Sequence, residues 1–162
     1  MATEGYVDKK ASWENITNKP SISAGLGVDS IAEGTSSAEG SYSHAEGVNT
    51  VTEGWSSHAE GCFSVAIGDC SHAEGSNTYA EGSYSHAEGI YTTATGEGSH
   101  AEGTYAYAEG QYSHAEGIYT TATGDYSHAE GGNVYATGKS SHAEGYGTSA
   151  EGDYSHAEGW YT

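Results

Sequence analysis

His44, His58, His72, His86, His100, His114, His128, His142 and His156 are all the histidines of the chain, spaced 14 residues apart, each inside the string Ser-His-Ala-Glu-Gly. Each is followed two residues on by a carboxylate: Glu46, Glu60, Glu74, Glu88, Glu102, Glu116, Glu130, Glu144 and Glu158. Three kinds of chemistry use such residues. Convergent imidazoles and carboxylates can bind a divalent metal such as Zn²⁺. A serine beside a histidine suggests nucleophilic catalysis, which requires the base within hydrogen-bond reach. Imidazoles also change charge near neutral pH. On an extended chain, neighbouring residues face opposite sides and residues two apart share one. Ser43 and His44 therefore point apart, whereas His44 and Glu46 lie together. No catalytic residue is assigned, and no enzyme activity or cofactor is expected.

The element that carries this column must repeat with it. Below the 14-residue period lies one of seven: Gly recurs at every seventh position from Gly40 to Gly159, and Ala stands two residues before each, except at Thr52. A coiled coil needs apolar a and d positions, here filled by Ala and Gly, and each glycine would cost a helix roughly 1 kcal/mol. Strands fit better, with small residues on one side and polar ones on the other. Two short strands and two turns make one coil, and coils stack in parallel. The expectation is an all-β fold, a parallel β-roll (β-solenoid) of 14-residue coils, with eight to nine coils between about Gly40 and Gly159 and a rod ~40 Å long.

Composition narrows the role. Of 162 residues, four are Lys, none is Arg, and the net charge is −19. Nucleic acid is excluded as a partner, because phosphate binding needs a basic surface. An anionic membrane surface is excluded likewise, and the apolar runs are too short to span a bilayer. Leu, Ile, Val and Phe together are so few that a conventional enzyme core is ruled out. A roll filled with Ala, Ser and Thr buries little, so each chain is expected to cover a face against other copies in a cyclic oligomer.

The unit GQYSHAEGIYTTATG, residues 110–124, resembles the YadA-like head repeat of trimeric autotransporter adhesins, over about residues 30–159. The resemblance implies a left-handed β-roll and a homotrimeric fibre. The segment YVDKKASWENITNKPSI, Tyr6–Ile22, is similar to short connectors of phage and prophage tail fibres. The chain is thus read as an N-terminal connector, 1–29, and a YadA-like repeat domain, 30–162. The function expected is a structural and receptor-binding segment of a phage or phage-tail-like tail fibre that attaches to the bacterial surface. Its partners would be two further copies, tail or baseplate proteins at the connector, and a surface glycan or protein receptor. Its place would be the virion tail or an extracellular tail-like particle. The alternative is the head of a bacterial trimeric adhesin, on the cell surface, binding host matrix or cells.

Within that frame the nine His–Glu pairs are read as a structural or interchain hydrogen-bond ladder; a metal site or direct receptor contact are the other readings of the same column. If each Glu raises the pKa of its His, the fold should be more stable at low pH. Tyr84, Tyr112, Tyr126 and Tyr154 precede the Ser of the repeat and are the candidate ligand-facing aromatics; the competing reading is stacking between coils. Cys62 and Cys70 are either bridged or free. The chain ends at Trp160-Tyr161-Thr162, where a further domain or a partner is expected to cap the roll.

Overall fold

The computed structural model describes Gly27 and residues 29–162. The connector expected over residues 1–29 lies outside them but for Gly27 and Asp29. The described chain is an all-β parallel solenoid. It opens with β1 (Ile31–Gly34) and β2 (Ser37–Ala38), continues with β3 (His44–Val48) and β4 (Val51–Thr52), and alternates long and short strands to β18 (Ser149–Ala150) and β19 (His156–Trp160). The odd-numbered strands form one ten-stranded parallel sheet and the even-numbered ones a nine-stranded sheet. About nine coils result. No helix among the described residues is long and apolar enough to cross a membrane.

The register keeps like on like: His86 pairs with His100, Ala87 with Ala101, Glu88 with Glu102 and Gly89 with Gly103. The first coil departs from the 14-residue rule. Ile31 pairs with His44, 13 residues on, whereas Ser37 pairs with Val51, 14 on. The turn after Gly34 is one residue shorter, and the solenoid begins a coil before the unbroken glycine series. There Ile31 takes the place of a histidine and hides the repeat from a motif count.

Two features hold the coils at this spacing. At Gly96 an added Cβ would collide with the carbonyl of Gly110 in the next coil, so backbone lies directly on backbone there. At Gly89 the chain turns with φ +115°, a conformation open to glycine at little cost. The interior is built of small side chains. Ala87 and Ala94 are fully buried, as are their equivalents from Ala38 to Ala143, with Thr52 in one place. Ser85, on the inner side, donates from Oγ to the Gly82 carbonyl at 2.6 Å, and Ser43, Ser57, Ser71 and Ser99 repeat that bond. A fourth inner column holds Thr78, Thr92, Thr120 and Thr148, with Val134 in the same place. Valine has the shape of threonine without its hydroxyl, so this column serves packing. Val134 and these threonines are among the largest fully buried side chains.

Candidate functional site

The long sheet turns its histidines and glutamates outward as a single ladder. From His44 to His100 successive imidazoles stack with centroids 4.8–4.9 Å apart and planes 2° from parallel. Past His100 the planes open to 28° and, at His142–His156, to 53°. In seven pairs the Nε2 lies 3.6–3.9 Å from the Oε2 of the Glu two residues on. That is close enough for charge to be felt but too long for a hydrogen bond. Nε2 is buried without a hydrogen-bond partner within the chain in every histidine from His44 to His142. Within one chain the column is therefore a stack of rings flanked by carboxylates rather than a hydrogen-bonded ladder.

At three rungs the imidazoles shift in the direction opposite to the one expected from the carboxylates alone. His72, His100 and His128 are held below the ordinary imidazole pKa, first by burial and then by repulsion from the imidazoles above and below; the carboxylates oppose this without reversing it. Glu74 is pushed above the ordinary carboxylate range by burial and by Glu88 and Glu60. A ring between two like rings gains more from neutrality than from a carboxylate at nearly 4 Å.

Metal ligation meets a geometric limit. His72, Glu74 and His86, then His86, Glu88 and His100, then Glu102, His114 and Glu116 place ligand atoms within 4.8 Å of one another. Two atoms bound to one Zn²⁺ at ~2.1 Å stand at most ~4.2 Å apart. Parallel rings repeating every 4.8 Å hold equivalent nitrogens at that same offset, so one ion spans two successive imidazoles only if a ring turns. Nor does a Ser–His pair form: Ser85 is inside the roll, hydrogen-bonded to a carbonyl, and His86 is outside.

The two turns of each coil carry the aromatic residues. Tyr84, Tyr112, Tyr126 and Tyr154 fall in one column, each with φ between 52° and 59° and each exposed. Gly98 and Ser140 interrupt that column, leaving one stacked pair, Tyr112 and Tyr126, at 5.5 Å. The Tyr112 hydroxyl also donates to Glu97 at 3.4 Å. The second column is the more regular: Tyr91, Tyr105 and Tyr119 stack at 5.0 Å with planes 4° apart. Side chains at these left-handed positions are uncommon outside Asn, Asp and Gly, and Asn49, Asn77 and Asn133 occupy the same column. Cys62 and Cys70 are free thiols.

The molecule is thus, as a class, a parallel β-solenoid repeat protein whose outer surface carries a His–Glu ladder between aromatic corners. Residues 87–113 and 101–127 each match the YadA head domain repeat, so two overlapping copies lie in the middle of the rod. The chain carries YadA head repeats. No curated protein matches it.

Proposed function

We propose that this protein is a non-catalytic attachment segment of an oligomeric fibre, a rod whose outer columns meet a partner surface. The observation that carries this reading is the match to the YadA head repeat on a solenoid that stacks identical columns from end to end. A structural role is in keeping with a chain whose repeated Ser and His face opposite sides of the strand.

The assembly is a homotrimer. Support comes from the interior, where the largest buried side chains are valine and threonine, and from the row of buried Nε2 atoms without partners in the chain. Buried polar atoms are almost always satisfied, and the His–Glu face of a neighbouring copy offers acceptors in matching register. The rod is part of a phage or phage-tail-like fibre, joined to the particle through residues 1–29 and attaching to a bacterial surface. A second reading, the head of a bacterial trimeric adhesin exposed on the cell, draws on the same repeat match.

Light scattering gives the first test. A mass near three times 16.7 kDa supports the fibre, and a monomeric mass with a β-type circular dichroism spectrum refutes the trimer. Binding of the labelled protein to whole bacteria, set against binding to matrix-coated plates, then separates the two readings.

A further inference from the structure

One coil breaks the outer surface. In the nine coils from His44 onward the last residue of the long strand carries a side chain everywhere except at Gly132. The next position, the aromatic column of Tyr91, Tyr105 and Tyr119, holds Asn133 in that same coil. Two outward columns therefore lose their bulk on one rung. Between Ile118 and Tyr119 on one side and Tyr146 on the other lies an open cavity of about 560 Å³, floored by Gly131 and Gly132.

The fold does not demand this gap. Gly132 has no positive φ, unlike Gly131 before it, and a Cβ placed there would meet the Tyr146 ring, at 2.8 Å, with no backbone atom among its nearest contacts. The same strand position holds Ile in two coils, at Ile90 and Ile118, where the next coil presents Thr104 or Gly132 in place of an aromatic ring. What glycine supplies here is room for the Tyr146 ring to lie against the strand, which leaves the notch open beside it. Tyr119 ends the stacked run of three, so the ring face directed toward Asn133 has no aromatic neighbour. The rungs on either side of the gap stand ~9.6 Å apart, two strand spacings, which leaves room for one flat ring in contact with that face.

We propose that this notch is a subsite for a neutral pyranose, a single sugar ring of a surface glycan; the proposal rests on the attachment reading above. The apolar C–H face of the sugar lies on Tyr119, with Ile118 and Tyr146 as walls, and the exposed Asn133 carboxamide, donor and acceptor in one group, meets a hydroxyl at the rim. Charge selects against uronic and sialic acids. Glu116, Glu130 and Glu144 stand on the strands that border the notch, and Lys139 is the one lysine among the described residues.

The test is a titration of the full chain with methyl β-D-galactopyranoside, whose C3–C5 hydrogens form one apolar face, followed by amide chemical shifts. Saturable shifts at Gly131, Gly132 and Asn133, with a Kd on the order of 1–10 mM for one small contact, are expected. The double variant Gly132→Ile, Asn133→Tyr fills the notch with the pair already present at Ile90-Tyr91 and Ile118-Tyr119. It should stay folded with the β-type spectrum of the parent, at some cost in melting temperature from displacing the Tyr146 ring and from a tyrosine at φ 58°, and bind at least about tenfold more weakly. Tyr119→Asn, copying Asn133, should also lose binding. No saturable shift in the parent chain, or equal affinity in the filled variant, overturns the subsite. Whole-cell binding then distinguishes the causes: if it persists in parent and variant, attachment uses another surface, and if neither chain binds cells the attachment reading falls as well.

Discussion

The outer face of the long sheet and the corners beside it are made by the same coils under different rules. On the face, every coil from His44 to His156 repeats His and Glu. At the corners the equivalent positions hold Tyr, Asn, Cys, Ser, Phe or Gly. Uniformity suits a surface that must match itself at every rung, as rings stacked at 4.8 Å do. Variation is tolerated where a side chain touches only its neighbours above and below, and it is there that one coil can differ enough to select a ligand. The tyrosines at the corners sit at φ above 50°, a placement that costs roughly 1–2 kcal/mol per residue.

The sharpest break in this comparison comes from the backbone column that both regions share. Gly96→Val should abolish cooperative melting by circular dichroism, or lower stability by more than about 3 kcal/mol, because the new side chain collides with backbone carbonyls of the next coil. Filling Gly132, at the corner, should cost far less, because the new side chain meets the Tyr146 ring and no backbone atom among its nearest contacts.

Acidification should weaken the face. His72, His100 and His128 have folded-state pKa values below the unfolded value, so the unfolded chain binds more protons as pH falls below about 6.5. Their contribution is fully present above the unfolded pKa and is lost as pH drops through the folded one. The melting temperature should therefore fall between pH 8 and pH 5.5. Glu74, raised above its ordinary value, works in the opposite sense: its effect is present at low pH and lost as pH rises through its folded pKa. A melting temperature that rises on acidification would show the carboxylates, not the stack, in control.

His100→Ala removes a ring stacked on two neighbours, at 4.8 and 4.7 Å. It should cost about 1 kcal/mol in denaturant unfolding and flatten the pH slope. Asp125→Ala withdraws the carboxylate that accepts from the Gln111 amide at 3.1 Å, a bond between coils on the exposed turn. A loss of about 0.5–1.5 kcal/mol is expected by the same measurement. Smallest of all should be Tyr105→Asn. It interrupts the Tyr91–Tyr105–Tyr119 stack but places at φ 56° a residue that tolerates it. The two effects oppose each other, and the net change should stay within about 1 kcal/mol.

Much of this molecule was legible before any coordinates. Glycine at every seventh residue, with alanine two before it, is compatible with stacked strands and little else, because no coil can change length without breaking the column. The side of the strand taken by each of Ser, His and Glu followed from alternation alone. The first coil was harder to see, since Ile31 stands where a histidine would and the turn is shorter by one residue.

The periodic sequence thus determined the solenoid, its 14-residue register and the single outward column of histidines, since each depends only on spacing along the chain. Tertiary structure decided the rest. Whether a carboxylate governs a histidine depends on burial first and on the imidazoles above and below second, which together outweigh the nearby oxygens at His72, His100 and His128. The notch at Gly132 exists only because Ile118, Tyr119 and Tyr146, on neighbouring coils, stand around it. Spacing along a chain orders columns; only packing across coils turns them into electrostatics and cavities.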